Sequence, residues 1–329
     1  MKSITLLTCL ALMGCVHVPD PPPLTGPVVG YTARNWRDPV SGGFMRAVLF
    51  FPPLRPLVQA PTRLGPWWVE AATSETIGFG KHPMVFISHG EGEAGSRFAH
   101  HDLAVALARA GYVVCTLEHP GDNYADQTAA RTEKVYLGRA WQVSAAIDAL
   151  IADPLFGPRV DPSRIGVAGF SAGGYTSLLL IGAKPDFTRW ASYCARNQGD
   201  LQLCKEKPPQ LTVAREKPTK DTRVHAAFVM APLGIFFGPD SFGAVRTPVS
   251  LAIAVKDSVT IPAENVAAMR EGLSTIFEFT EIPGADHYVF LAPCGGEPKI
   301  CEDPPGIDRL AVHERLNTAA VKFFEAQLH

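Results

Sequence analysis

The sequence predicts an α/β fold in which a mostly parallel β-sheet has helices on both faces and carries a small inserted cap. Hydrophobic residues make up 47% of the 329 residues and charged residues only 19%, so a large core can be buried. Runs rich in β-branched and aromatic residues alternate with helical patterns, and strands that are apolar on both faces are typical of a covered parallel sheet. The length suits one large domain with insertions.

The predicted elements follow one another along the chain. The strands are expected at 45–51, 84–88, 112–117, 164–170, 224–230, 249–255 and 275–282. The helices are expected at 101–110, 133–152, 172–181, 264–271 and 308–327. The segment 184–222 is polar and proline-containing and interrupts the alternation, so it is predicted to be a cap inserted into a domain that spans 30–329.

The charge balance argues against one class of partner. Lys and Arg number 30 and Asp and Glu number 32, which gives a formal charge of −2. A chain without a basic excess has no global field that attracts phosphates, so no nucleic-acid partner is expected.

The N-terminal residues resemble a bacterial export signal. Lys2 precedes the apolar stretch 4–13, which is shorter than the roughly 20 residues that a membrane-spanning helix needs. The motif Leu-Met-Gly-Cys that ends at Cys15 resembles a lipobox, so residues 1–14 are predicted to be a lipoprotein signal peptide and Cys15 the lipid-attachment site. The proline-rich residues 15–29 suit a stiff tether. An ordinary secretory signal is the alternative, and both interpretations export the chain.

The cysteine positions predict two local disulfides. An exported chain enters an oxidising compartment, where cysteines pair. Cys194 and Cys204 would close one short loop, and Cys294 and Cys301 would close another. Cys115 lies in an apolar run and is predicted to be a buried free thiol. The sequence has no Cys-x-x-Cys or His-x-Cys cluster, so no metal site is predicted.

One motif predicts a nucleophile. Residues 169–173 read Gly-Phe-Ser-Ala-Gly, with an apolar strand before them and a helical pattern after them. This context is typical of the nucleophile elbow of the α/β-hydrolase fold, in which glycines make room for a strained serine that projects above the sheet. Ser171 is therefore the predicted nucleophile.

The serine needs a base, and the base needs a carboxylate that orients it. In this fold the chain order is Ser, then Asp or Glu, then His. Asp257 and His287 each follow a predicted strand downstream of Ser171, at the sheet edge where such folds place their sites. Asp240 follows the preceding strand and is the alternative acid. Asp286 is a poorer alternative because adjacent side chains diverge.

The loop 89–92 follows the predicted strand 84–88, where α/β-hydrolases build an oxyanion hole. The backbone N–H groups of Glu91 and Ala172 are the predicted donors, and His89 is predicted to brace the loop. Chemistry of this kind requires no metal and no organic cofactor.

Further segments resemble a known group of proteins. They read Phe86-Ile87-Ser88-His89-Gly90, His101-Asp102-Leu103-Ala104, Ala110-Gly111-Tyr112-Val113-Val114 and Glu118-His119-Pro120-Gly121. Over 44–329 the chain is similar to the plasma-type platelet-activating-factor acetylhydrolases and to exported bacterial proteins labelled dienelactone-hydrolase-like, within the α/β-hydrolase superfamily.

The resemblance implies triad roles for Ser171, Asp257 and His287, and oxyanion roles for Glu91 and Ala172. Two features depart from it. True dienelactone hydrolases use a cysteine nucleophile where this chain has Ser171, and the acetylhydrolases carry an apolar residue where Glu91 stands.

These observations predict a serine carboxylic-ester hydrolase that acts through an acyl-enzyme on a small-molecule or lipid ester. Val16, after Cys15, resembles lipoproteins sent to the outer membrane, so a lipid-anchored enzyme that faces the periplasm is expected. One alternative is a binding lipoprotein that keeps the fold without catalysis. The other is an acyltransferase or a peptidase that uses the same residues. The oligomeric state is not indicated.

Overall fold

The computed structural model describes residues 23–58, 61–65, 67–74, 76–204, 217–294 and 299–329. The predicted signal peptide, Cys15, most of the predicted tether and part of the predicted cap lie outside the described residues. Within these ranges, no helix is long and apolar enough to cross a membrane.

The strands and helices occupy well-defined ranges. The strands are β1 Val29–Arg37, β2 Phe44–Phe51, β3 Thr62–Leu64, β4 Trp67–Val69, β5 Ala71–Thr73, β6 His82–Ser88, β7 Val113–Glu118, β8 Val160–Phe170, β9 Val224–Met230, β10 Val249–Ala254 and β11 Ile276–Ile282. The helices are α1 His101–Arg109, α2 Glu133–Tyr136, α3 Gly138–Ala152, α4 Ala172–Leu180, α5 Arg189–Arg196, α6 Leu201–Cys204, α7 Pro262–Asn265, α8 Ala267–Gly272 and α9 Arg309–Leu328.

Nine of these strands form one sheet in the order β11-β10-β9-β8-β6-β7-β2-β1-β5. The six strands from β11 to β7 in this order are parallel to one another. Strand β2 runs antiparallel to β7, and β1 runs antiparallel to β2. The carboxyl ends of the six parallel strands therefore meet at one edge of the sheet, where α/β folds place their sites.

Hydrophobic clusters on the two faces of the sheet form the core. Helices α3 and α4 belong to one cluster, whereas α1 and α9 belong to the other. Successive side chains of a strand point to opposite faces, and β6 shows this directly. Met84 and Phe86 pack in the first cluster, and Val85 and Ile87 pack in the second. The predicted class, a mostly parallel sheet with helices on both faces, is confirmed.

The predicted elements differ from the structure in detail. The helix predicted at 133–152 is two helices, α2 and α3, because Leu137 leaves the helical conformation with φ −120°. The helix predicted at 264–271 is likewise divided at Val266. Strand β1 was not predicted, because Asn35 and Arg37 are exposed in its outer half and hide the strand pattern.

The structure contains both cysteine pairs and a free thiol. Cys194 is bonded to Cys204, and Cys294 is bonded to Cys301. Cys115 is free and buried in β7, where burial raises the pKa of its thiol. The first disulfide joins α5 to α6 within the segment predicted to be a cap.

The residues just before β1 lie against the body of the domain. Thr25 hydrogen-bonds to the Glu70 carboxylate through its backbone N–H and its hydroxyl. Arg109, the last residue of α1, forms an ion pair with Glu70 and donates to the carbonyl of Pro27 at 2.8 Å.

These contacts lie at the sheet edge opposite the carboxyl ends of the parallel strands. Gly30, near the start of β1, pairs with Phe51 at the end of β2. Phe50, its neighbour in β2, pairs with Val114 near the start of β7. The chain therefore joins the sheet at the amino end of β7.

Candidate active site

Ser171 occupies a strained turn between β8 and α4. Its backbone has φ 55° and ψ −116°, a conformation that residues with a Cβ seldom adopt. The Ser171 N–H donates to the carbonyl of Met230 at 3.0 Å, and the Ser171 carbonyl accepts from the N–H groups of Tyr175 and Leu233. The neighbouring strand and the helix therefore hold the turn in place.

The two motif glycines are required by close backbone approach. A Cβ at Gly169 would lie 2.1 Å from the carbonyl oxygen of Gly173. A Cβ at Gly173 would lie 1.9 Å from the carbonyl oxygen of Ser88. Both distances are far below van der Waals contact, so a side chain at either position would push α4 away from the sheet.

The structure brings the three predicted triad side chains together. His287 Nε2 lies 3.1 Å from Ser171 Oγ, and His287 Nδ1 lies 2.7 Å from Asp257 Oδ2. A hydrogen on Nδ1 donates to the carboxylate, which leaves the Nε2 lone pair facing the serine hydroxyl. Asp240 is exposed in a different turn, and it is Asp257 that hydrogen-bonds to the imidazole.

The loop after β10 holds the Asp257 carboxylate. Its Oδ1 accepts from the backbone N–H groups of Val259 and Thr260 at 2.9 and 2.6 Å. Burial alone would raise the pKa of Asp257, but hydrogen bonding to His287 and then to Thr260 lowers it below its ordinary value. The group is therefore an anion at neutral pH, as its predicted role in orienting His287 requires.

Thr260 is a site residue that the sequence analysis missed. Its hydroxyl donates to Asp257 Oδ2 at 2.9 Å and lies 3.2 Å from His287 Nδ1. The spacing of an Asp and a Thr three residues later is typical of a turn in which side chains bind the local backbone, and this signal could have found it.

Asp286 connects the two loops that carry the acid and the base. Its carboxylate accepts from the backbone N–H of Ser258 and from that of His287, both at 2.7 Å. The hydroxyl of Ser258 adds a third hydrogen bond at 2.9 Å. This bridge fixes the position of the imidazole relative to Asp257.

The two predicted oxyanion donors line the same pocket as the serine and the histidine. Ala172 is the first residue of α4, where backbone N–H groups and the helix dipole favour negative charge. Glu91 precedes a short helical turn after β6. Its carboxylate lies 3.8 Å from Arg131 Nε.

The pocket beside Ser171 is small, and residues of the predicted cap contribute to its lining. Its volume is about 30 Å³. Asp200 and Leu203 from the cap contribute to its lining, together with Leu233, Val259 and Tyr288 from loops at the sheet edge. In the described part of the chain, no group of three or more His, Cys, Asp or Glu side chains is placed to hold a metal ion.

Comparisons with known proteins agree with this architecture. No family model and no curated protein matches the sequence. Among solved structures, a ferulic acid esterase from Streptomyces cinnamoneus superimposes with a TM-score of 0.60 at 19% identity, over 91% of this chain and 89% of that one. A dienelactone hydrolase from Anabaena variabilis superimposes with a TM-score of 0.51 at 16% identity, over 92% and 100%.

A third similar structure is a protein from Bacteroides ovatus described as a dipeptidyl aminopeptidase IV. It has a TM-score of 0.54 and 13% identity, over 91% of this chain. This chain spans only 36% of that protein's length. All three similarities concern the fold, and together with the strand order they show that the chain has the α/β-hydrolase fold.

Proposed function

We propose that this chain, which has the α/β-hydrolase fold, is a serine hydrolase that cleaves carboxylic esters through an acyl-enzyme. One observation carries the proposal: a serine on a strained turn lies 3.1 Å from an imidazole whose other nitrogen is bonded to a buried carboxylate. A serine hydroxyl is a poor nucleophile at neutral pH, and this arrangement supplies the base that activates it.

The chemistry follows from the positions of these groups. Ser171 Oγ attacks the ester carbonyl while His287 Nε2 takes its proton, and Asp257 stabilises the imidazolium that forms. The oxyanion accepts hydrogen bonds from the N–H groups of Glu91 and Ala172. His287 then gives the proton to the departing alcohol. A water, deprotonated by the same nitrogen, attacks the acyl-enzyme and releases the acid.

The pocket supports a substrate with a short acyl group. Its volume is only about 30 Å³, which favours a short acyl group over a long one. Leu203 closes one side, and it belongs to a cap segment held by a disulfide. We therefore expect p-nitrophenyl acetate to be cleaved with a higher kcat/KM than the octanoate.

Labelling with a fluorophosphonate probe, followed by mass-spectrometric mapping, tests the nucleophile. Ser171→Ala should lower kcat for ester hydrolysis by at least ~10³-fold and should abolish labelling, while the circular dichroism spectrum is unchanged. Ser250→Ala, at a buried serine of β10, is the matched control and should keep activity and labelling. A label on another residue, or wild-type rates in Ser171→Ala, would disprove the assignment.

The alternative functions use the same fold. A peptidase would cleave p-nitroanilides, an acyltransferase would form a new ester when an alcohol is added, and a binding protein would not be labelled. The esterase proposal is favoured because the similarity to the ferulic acid esterase extends over 89% of that chain, against 36% for the protein described as a peptidase.

We also propose that the enzyme is exported and held at the bacterial envelope, at the outer membrane, by lipid on Cys15. The two disulfides are of the kind that forms in oxidising compartments. Acyl chains contribute ~0.8 kcal/mol per buried CH₂, so two or three chains anchor a protein stably. Cys15→Ser should move the protein from the detergent phase to the aqueous phase with its esterase activity preserved. Native protein already in the aqueous phase would contradict the anchor.

A further inference from the structure

A buried arginine lies beneath the loop that carries Glu91. The side chain of Arg139, near the start of α3, is only 1% exposed, and that of Asp122 beside it is 0% exposed. A buried charge is costly unless it is paired and its polar hydrogens are used. The proposed chemistry assigns no role to this pair, and the sequence analysis did not identify it.

The Arg139 guanidinium hydrogen-bonds to the backbone of the loop. Its Nη1 donates to the carbonyl of His89 at 2.7 Å, and its Nη2 donates to the carbonyl of Gly90 at 3.1 Å. Nη2 also donates to the carbonyl of Asp122 at 3.2 Å. Nη2 also lies 2.6 Å from Asp122 Oδ2, so the two buried side chains form an ion pair. One planar fork therefore holds two successive loop carbonyls.

A second donor holds the same carbonyl. The Gly90 oxygen lies 2.7 Å from His89 Nδ1, and His89 Nε2 accepts the backbone N–H of His119 at 3.0 Å. Nε2 therefore carries no hydrogen, and Nδ1 is the donor. Burial, and then the charge of Arg139, keeps the pKa of His89 well below its ordinary value, so this imidazole is neutral.

The direction of the next N–H follows from peptide geometry. In a trans peptide the carbonyl of residue 90 and the N–H of residue 91 point in opposite directions. Because the Gly90 carbonyl is fixed toward the buried guanidinium, the Glu91 N–H is directed to the other side of the loop. That residue lines the catalytic pocket together with Ser171 and His287.

We propose that Arg139 is a positioning residue that fixes the Glu91 N–H as an oxyanion donor before substrate binds. The inference rests on the proposed function of Ser171. Donors that are already oriented stabilise a developing oxyanion without reorganisation during the reaction. The buried charge is thereby used to hold a backbone dipole in place.

The test depends on the difference between arginine and lysine. Lysine keeps a positive charge near Asp122, but a single ammonium does not match the planar fork that spans two carbonyls. Arg139→Lys should lower kcat on the order of 10- to 100-fold, less than the ~10²- to 10³-fold cost of losing a donor entirely. KM should change little, because the lost interaction acts only in the transition state.

Three readouts separate positioning from a general structural effect. Rates are expressed per active site titrated with the fluorophosphonate, so that unfolded molecules are not counted. The affinity for a trifluoromethyl ketone, whose adduct with Ser171 places an oxyanion in the hole, should fall by the same factor as kcat. The apparent pKa values in the pH profile of kcat/KM should be unchanged, because His287 and Asp257 keep their contacts.

Arg34→Lys is the matched control. It alters an arginine that bonds to Asp153 at the opposite end of α3, and it should leave kcat and ketone affinity unchanged. If Arg139→Lys does not fold, the double variant Arg139→Gln, Asp122→Asn removes both charges together. It leaves no unpaired ion and should show the same loss of kcat.

The outcomes distinguish the two proposals. The positioning role is overturned if Arg139→Lys keeps the wild-type kcat per titrated site. If Arg139→Lys does not fold, the same result in the double variant overturns it. A raised KM at unchanged kcat also overturns it. If the wild-type protein neither hydrolyses esters nor is labelled at Ser171, the proposed function fails, and this inference fails with it.

Discussion

The proposed catalytic residues and the predicted cap are held in different ways. Ser171, Asp257 and His287 each follow a strand of one sheet, and hydrogen bonds from neighbouring backbone and side chains fix them. In the predicted cap segment 189–204 a disulfide and internal hydrogen bonds, such as Tyr193 Oη to Asp200 Oδ2 at 2.6 Å, join two short helices, and Tyr193 and Leu203 pack into the hydrophobic core. The sheet positions the proposed triad, whereas we propose that the short disulfide-bonded segment limits the size of the substrate.

The largest expected effect comes from replacing Asp257, the proposed acid of the triad. Asp257→Asn should lower kcat/KM by up to ~10⁴-fold, because an amide favours the wrong tautomer of His287 and provides no charge for the imidazolium. Asp240→Asn, at an exposed aspartate in a different turn, should change it less than about twofold. Steady-state kinetics with p-nitrophenyl acetate measure both variants.

If Asp240→Asn lowers kcat/KM more than Asp257→Asn does, then Asp240, in the turn after β9, is the triad acid. Equal small losses would show that the imidazole is oriented by other contacts, Thr260 being the nearest.

A smaller effect is expected from loosening the cap. The double variant Cys194→Ser, Cys204→Ser should raise kcat/KM for the octanoate relative to the acetate by about tenfold, since pocket contacts decide such discrimination. The reason is that Leu203, which lines the pocket next to the disulfide, is freed to move. A panel of p-nitrophenyl esters of increasing chain length measures this ratio.

The other disulfide supplies the control. Cys294→Ser with Cys301→Ser removes a crosslink of similar loop length and should lower stability by ~2–3 kcal/mol without changing the acyl-length ratio. If both double variants shift the ratio equally, the cap is not the element that limits acyl length.

The smallest predicted effect concerns a buried histidine outside both regions. His313 Nδ1 lies 2.6 Å from Asp102 Oδ2, and His313 Nε2 lies 2.8 Å from the carbonyl of Val289. Both ring nitrogens face acceptors, so the protonated form is the better fit. Burial would lower the pKa of His313, but the charge of Asp102 and its hydrogen bond raise it above its ordinary value.

The sign of the pH dependence follows from the raised pKa of His313. Its stabilisation is complete below the unfolded pKa of about 6.5 and is lost as the pH rises through the folded pKa. Burial lowers the pKa values of His100 and His101 to about 4. These two residues therefore make the free energy of unfolding rise with pH, and they do so only below about pH 6.5. Urea unfolding between pH 6.5 and 8.5 should show the free energy of unfolding falling in the wild type. A slope retained in His313→Gln would contradict the assignment.

The sequence predicted those parts of the site that depend on local pattern. A glycine motif between a strand and a helix identified Ser171, and positions at strand ends identified Asp257 and His287, which the structure brings together. Chain order and strand polarity are enough for this, because all parallel strands end at one edge of the sheet.

The parts that were missed depend on contacts between distant segments. Arg139 contacts Gly90 across 49 positions of sequence, and its own helix offers only a weak signal, an arginine among apolar residues. Thr260 is the exception, because its spacing from Asp257 is a local signal that could have found it. Strand β1 forms because β2 provides a hydrogen-bonding partner. The sequence of β1 does not show this pairing, because polar residues in its outer half obscure the strand pattern.

The point at which the chain joins the sheet has a consequence for where substrate comes from. Residues 25–27 are fastened by Glu70 and Arg109 at the edge opposite Ser171. If Cys15 carries the lipid that we propose, the chain would reach the bilayer from the side of the sheet opposite Ser171, which favours an orientation in which this serine faces the open compartment. An enzyme mounted in that way would capture esters that arrive by diffusion, and would have poor access to the lipids of the membrane to which it is fixed.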